Sequence, residues 1–375
     1  MRKFSFFLSF LFFVLVFLVI EAAVFVYYPA TVRLSPVKPL ITFKDPRTSG
    51  VTVSLGPAST SATVSVASNK ALHVYDYDAN GRMVVVRSVS QSLSWDESFS
   101  VSWDAYVTNY SDPSGVGVVL QEVETRINGN LKYFSFYYYG GNTVDAGGSS
   151  ITLDMSISHT YRIVVSYTLF GSGVLDVLVV TVDFYIDGSK VNSITINNVL
   201  SITIDSVEAG RYDVRNTYDL YIDNVNMINV NGQVTTENFE DGADDFFADS
   251  YNSGDTGKEV VYYTFPKIFL TAYNNDSNSY LVKLSLASLP SSTVSANFWI
   301  RDTSTSTSIK VKNSVVIAGE TSEILLSGSS SAYLYLNITA PLSATLPLEF
   351  HFNFVYRVPN SDGVTVTYPI VVKFG

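Results

Sequence analysis

Leu348-Glu349-Phe350-His351-Phe352-Asn353-Phe354-Val355-Tyr356 decides the fold class. Every even-numbered position in it is large and apolar, while Glu349, His351 and Asn353 take odd positions. Side chains two apart share a face only in an extended chain, so this is a β-strand with one face on a core. The same period recurs at Ser100–Val107, Tyr133–Tyr139, Tyr161–Leu169, Leu175–Ile186, Tyr218–Val225, Tyr333–Ile338 and Val364–Phe374. Turn dipeptides separate the runs: Asn80-Gly81, Gly147-Gly148, Asp187-Gly188 and Asp362-Gly363. No segment after residue 30 keeps a 3.6-residue apolar period. The pattern predicts an all-β protein with two β-sandwich domains behind an N-terminal signal or anchor helix.

The chain has 375 residues, room for two such domains. Aromatic residues reach 14% and charged residues only 15%, the reverse of a disordered composition. The net charge is −11 and no lysine/arginine run offers a footprint to a phosphate backbone, which argues against nucleic acid as a partner. Cysteine is absent, which excludes disulfides, thiolate metal sites and cysteine nucleophiles. The three histidines, His73, His159 and His351, are far apart, so a local zinc motif is excluded too.

Arg2 and Lys3 precede an apolar stretch, Phe4 to Ile20, which ends at Glu21-Ala22-Ala23. A basic head, an apolar core and small residues after it form a secretory signal. Val24 to Tyr28 prolong the apolar character, so a retained anchor is the other reading of residues 1–23. Both readings put the body of the protein outside the cytoplasm, secreted or at the cell surface. Contact with the membrane would run only through this segment.

Three zones follow. Residues 24–68 hold Pro29, Pro36, Pro39, Pro46 and Pro57 and the alternating Val51–Val66 stretch. Residues 69–260 are rich in Tyr, Asp, Asn and Gly, and residues 261–375 in Ser, Thr and Leu. The low-complexity run Asp302–Ser308 reads as an exposed loop or strand tip.

In the middle zone, Val182-Asp183-Phe184-Tyr185-Ile186-Asp187-Gly188 and Lys190–Ile196 form a hairpin around Asp-Gly. It resembles the hairpin of laminin-G-like, concanavalin-type jelly rolls. Tyr221-Ile222-Asp223-Asn224-Val225 resembles their last strand, Asn238-Phe239-Glu240-Asp241-Gly242 their opening strand, and Leu72-His73-Val74-Tyr75-Asp76 the strand soon after it. The opening segment comes last here, so the order looks circularly permuted, as in a jelly roll (69–260) inserted into another domain. The resemblance implies binding of glycans or protein partners and, in some members, a structural calcium. Glu240, Asp241 and Asp223 are the candidate calcium ligands; the same acids equally suit turn and strand-end capping. His73 reads as a half-buried strand residue rather than a metal ligand.

Glu122 and Glu124 are the glutamates spaced to share a strand face as a glycosidase pair would. The third acid of the concanavalin-type glucanase signature is missing, and a solvated strand face accounts for the two. No residue takes a catalytic role, and an enzyme is not expected. Tyr137-Tyr138-Tyr139, Trp95 and Trp103 are candidates for a sugar-stacking platform, with at least one tyrosine face in the core.

In the outer zones, Phe269-Leu270-Thr271-Ala272-Tyr273-Asn274-Asn275-Asp276-Ser277 followed by Tyr280–Leu286 reads as strand, turn, strand. It resembles the immunoglobulin-like sandwich subunits of archaeal surface threads and pili and of bacterial biofilm-matrix fibres. The head, Tyr27 to Pro36 followed by Pro39-Leu40-Ile41-Thr42-Phe43, resembles the extended leader of the archaeal proteins. That resemblance implies a sandwich built from residues 24–68 and 261–375, and an archaeal source. It also implies a donor strand in which Ala30, Val32 and Leu34 enter the sheet of the next subunit. The alternative is an ordinary first strand pairing within its own sandwich.

Asn-x-Ser/Thr sequons occur at Asn109, Asn275 and Asn337. The function expected is that of an extracellular structural or adhesive surface protein, a self-assembling filament subunit being one form of it. The alternative is a cell-surface glycan-binding protein. Partners would be copies of the chain or surface glycans and proteins, with no cofactor beyond the candidate calcium.

Overall fold

The computed structural model describes residues 41–44, 51–55, 62–78, 81–112, 115–170, 177–211, 217–247, 249–301, 306–359 and 365–375. The signal or anchor (1–23), the donor residues Ala30, Val32 and Leu34, and the turn residues Asn80, Asp362 and Gly363 lie outside them. Among the described residues no helix is long and apolar enough to cross a membrane.

The described residues form strands throughout. First come β1 (Ile41–Lys44), β2 (Val51–Leu55) and β3 (Ala62–Val66). The next stretch supplies β4 (Asn69–Asp76), β5 (Arg82–Leu93), β6 (Glu97–Ser111), β7 (Val118–Ile127), β8 (Asn130–Tyr138), β9 (Thr143–Ala146) and β10 (Ser149–Thr152). It continues with β11 (His159–Phe170), β12 (Val177–Ile186), β13 (Ser189–Asn197), β14 (Ile202–Arg211), β15 (Thr217–Ile228), β16 (Val234–Glu237) and β17 (Asp249–Ser253). The long β18 (Thr256–Asn274) leads to β19 (Tyr280–Ser288), β20 (Ser295–Arg301), β21 (Ser306–Lys312), β22 (Val315–Ala318) and β23 (Ile324–Leu326). The last three are β24 (Ser331–Pro341), β25 (Leu348–Arg357) and β26 (Val366–Phe374).

These strands build two sandwiches. In the larger, the order β13-β12-β11-β6-β15-β4 packs against β10-β9-β8-β7-β14-β5-β17. Its core runs from Leu72 to Phe247 and buries Trp103, Phe136, Tyr161 and Phe184 completely. The Trp103 indole donates 2.9 Å to the carbonyl of Leu120 on the facing sheet, which satisfies its polar edge inside the core. In the smaller, β18, β24, β20, β21 and β22 with β1 at the side face β2-β3-β26-β25-β19-β23. β25 is the strand that announced the fold, and Leu348, Phe350, Phe352 and Phe354 all point into this core. Phe298 opposite them packs with its ring centre 4.4 Å from that of Phe352, tilted by 58°. Each such buried phenylalanine contributes about 1.5–3 kcal/mol of transfer free energy.

β18 joins the two. Its first half, Thr256 to Tyr263, pairs with β4 of the larger sandwich. From Val261 to Tyr273 it pairs with β24 of the smaller, so one 13-stranded sheet runs through both. Register shifts between Thr264 and Lys267, and between Ile268 and Leu270, mark bulges where the sheet bends. On the outer face of this bend a third apolar cluster forms from Ala71, Tyr106, Tyr221, Val261 and Tyr263, with Phe265 against it. Residues 67–68 make the other covalent link, from β3 into β4.

Candidate functional site

The bend carries a cleft of about 360 Å³. Strand alternation decides who lines it. In β4, Leu72 and Val74 point inward, so His73 and Tyr75 point out, and Tyr77 continues the row beyond the strand. In β15 the same rule sends Leu220 and Ile222 to the core and presents Asp219 and Tyr221. Register pairs Tyr221 with His73 and His73 with Glu259 of β18, which brings the three into one row across the sheet. The smaller sandwich closes the other wall with Thr293, Ser295, Lys312, Asn313 and Thr339. A Cβ on Gly257 would stand 2.6 Å from the Tyr75 hydroxyl and 2.9 Å from its ring, so glycine makes room for that ring.

Aromatic rings form a ladder along the floor. Tyr263 stacks on Tyr221 at 4.1 Å and 8°, and Tyr221 on His73 at 4.6 Å and 8°. His73 meets Tyr75 at 5.1 Å and Tyr75 stacks on Tyr77 at 5.0 Å. The Lys312 ammonium caps the ladder 4.1 Å from the centre of the Tyr77 ring.

Asp219 is the polar centre. It is 2% exposed and accepts hydrogen bonds from His73 Nε2 at 2.8 Å, Tyr77 Oη at 2.5 Å and Asn109 Nδ2 at 2.5 Å. Burial alone would raise its pKa, but these donors outweigh it and hold the carboxyl below its ordinary 3.8. Burial likewise works against the His73 imidazolium, and the bonds to Asp219 and Glu259 prevail, raising it above 6.5. Glu259 lies 3.5 Å from His73 Nδ1, at the outer limit of a hydrogen bond, and adds to that rise through this contact and then through its charge. The same contact lowers the Glu259 pKa. Desolvation and the adjacent Asp219 charge push the Tyr77 hydroxyl far up, so it serves as a donor throughout the physiological range. The arrangement therefore offers a fixed negative centre, an amide at the mouth, two tyrosines and a lysine.

Neither His73 nor Asp219 was singled out for function by the sequence. His73 is buried at 5% exposure rather than half-buried, because the β15 and β18 side chains close over it. The other expected residues are scattered. Glu240 Oε1 accepts from the Lys70 amide at the start of β4 at 3.0 Å, a long-range contact, and Asp241 Oδ1 accepts from the Ala243 amide at 2.9 Å within its own turn. Asp223 is buried on β15, where its carboxylate accepts from the Asn224 amide at 2.7 Å, and desolvation pushes its pKa to about 7. Among the described residues no three His, Asp or Glu side chains are grouped to hold a metal ion.

Several expectations need correction. Trp103 lies in the core, so it cannot stack on a sugar. As expected of one tyrosine face, Tyr138 is buried there, whereas Tyr137 and Tyr139 stack on the other face at 6.0 Å; Trp95 is 65% exposed. Glu122 is 4% exposed instead of solvated, because Ser135 and Tyr137 from β8 and Glu208 from β14 surround it. The Ser135 hydroxyl donates to its carboxylate, yet desolvation, reinforced by Glu208, pushes Glu122 to about 7. Asn337 is 3% exposed, covered on the outer sheet face at the bend, so its sequon is closed in the folded protein. Asn275 is half-buried with its amide on Thr42 Oγ1 at 2.9 Å, and Asn109 is exposed at the cleft mouth.

No protein-family model matches the chain, and no curated protein is significantly similar to it.

Proposed function

We propose that the protein is an adhesive protein of the cell surface that binds a glycan in the cleft at the bend. The observation that carries this reading is the convergence of the Asp219 carboxylate, the Asn109 amide and the Tyr77 hydroxyl beside stacked tyrosines. Sugar hydroxyls need donors and acceptors held in fixed directions, which hydrogen-bonded side chains at a cleft provide. A cleft of about 360 Å³ lies within the usual range of roughly 300–1,000 Å³ for small-ligand sites. The resemblance of residues 69–260 to laminin-G-like jelly rolls supports the same reading, and the apolar N-terminal stretch supports export.

Saturable binding on a glycan array, lost in Asp219→Asn while the circular dichroism spectrum is kept, is the expected result. Absence of any binding by the wild-type chain would overturn the proposal.

A second reading, assembly of copies by strand donation, is favoured by the edges of the long sheet. β22 ends it with Val315, Val316 and Ile317 all exposed, on a strand that carries no charge. Negative-stain microscopy of the chain with and without residues 24–45 tests it. Fibres formed only by the longer protein are the expected outcome, and monodisperse particles from both would exclude this reading.

A further inference from the structure

The cleft already holds a cation of its own. Tyr77 has one ring face on Tyr75 and the other under the Lys312 ammonium, so no bare tyrosine face remains on that ring for an incoming sugar. Lys312 is exposed, carried near the end of β21 just before the Asn313-Ser314 turn. A long side chain there can swing away at the cost of one cation–π contact, worth about 0.5–1 kcal/mol at an exposed site.

The surrounding charge is negative. Asp219, Glu259 and Asp255 face the cleft beside Lys312 and His73. Asp219 is buried and already accepts three hydrogen bonds, whereas Glu259 has a side chain 53% exposed and Asp255 is exposed. Both Glu259 and Asp255 stand near enough to Tyr75 to add to the rise in its pKa that burial begins, which places their charges beside the ladder. A site that is acidic, aromatic and already occupied by an ammonium selects for an ammonium. The net charge of −11 draws cations toward it from solution.

We propose that the glycan bound here bears a free amine: the protonated amino group of an amino sugar replaces Lys312 over Tyr77 and pairs with Glu259 and Asp255. This rests on the glycan reading of the cleft. Asn109, Asn313 and Ser295 stand at the rim for the hydroxyls. An N-acetylated sugar has no charge to offer, so the site discriminates by the amine rather than by the ring.

The test is isothermal titration of the purified full chain with glucosamine, glucose, N-acetylglucosamine and methylammonium. Glucosamine is expected to bind about tenfold tighter than each of the other three. Lys312→Met is expected to tighten glucosamine binding about threefold, since the resident competitor is gone, while Tyr77→Leu weakens it at least tenfold. Circular dichroism of both variants guards against a folding defect. Equal binding of glucosamine and glucose, or weaker binding in Lys312→Met, would overturn the amine assignment and leave the glycan reading standing. Methylammonium binding as tightly as glucosamine would remove the sugar from the recognition. No binding by any of the three sugars, together with a blank glycan array, would remove both proposals.

Discussion

Thr339 donates a 3.1 Å hydrogen bond to the Tyr221 hydroxyl, and the two residues belong to different sandwiches. Tyr221 in turn stacks between Tyr263 and His73, so this bond fixes the ladder that floors the cleft. Removing the donor in Thr339→Val should cost about 1 kcal/mol of stability. Urea denaturation followed by tyrosine fluorescence checks it. A single cooperative transition is expected in both proteins, because β18 belongs to both cores; two separated transitions in the wild type would contradict that.

The His73 imidazole should titrate above 6.5, since its hydrogen bond to Asp219 and its contact with Glu259 outweigh burial. A histidine raised in the folded state stabilises fully below its unfolded value, and that contribution is lost as pH rises through the folded value. Glu122 and Asp223 are both raised to about 7 and titrate in the same window. The clean readout is therefore an NMR titration of the imidazole protons, with His73→Gln assigning the resonance. A midpoint below 6.5 would contradict the bonding described.

Glu122 gives a second pH effect. An acid whose folded pKa is raised stabilises the fold below its ordinary 4.5, and that contribution is lost as pH rises through about 7. Glu122→Gln should therefore raise stability at pH 8 by on the order of 2 kcal/mol and change it little at pH 4. Paired urea melts at the two pH values measure this. Equal shifts at both would mean that Glu122 is ionised without penalty.

Gly210 sits on β14 with φ of 101°, and a Cβ there would stand 2.3 Å from the Met83 carbonyl oxygen, which accepts from the Tyr218 hydroxyl at 2.8 Å. An L-residue meets both backbone strain and a backbone clash, so Gly210→Ala should cost about 3 kcal/mol. Thermal unfolding by calorimetry reads it directly. A change under about 1 kcal/mol would show that β5 and β14 can part without penalty.

Burial also decides which sequons are usable. Peptide mapping of the protein from a glycosylating host should find Asn337 unmodified, because its amide is enclosed at the bend. Occupancy there would mean that this part of the sheet forms only after modification.

Much of the architecture was legible because strand periodicity is local. Phe350, Phe352 and Phe354 announce a one-sided strand within a few residues. The cleft was not legible, because its members meet only through pairing across the sheet. His73 and Asp219 are 146 positions apart, and Glu259 and Lys312 reach them from β18 and β21. The available signal was the odd-position row His73, Tyr75, Tyr77, an outward face too aromatic and too polar for an ordinary solvated strand. Glu122 was misread for a related reason: its closing partners Ser135 and Glu208 lie on neighbouring strands that sequence spacing does not align.

β18 has a mechanical consequence. A chain that crosses from one sandwich to the other as an unbroken strand leaves no linker to act as a hinge. Traction along β18 that draws the sandwiches apart loads the eight register pairs with β4 together, in shear, rather than opening them one at a time. The hydrogen bonds yield collectively or not at all, so the cleft keeps its shape under tension until the sheet itself fails.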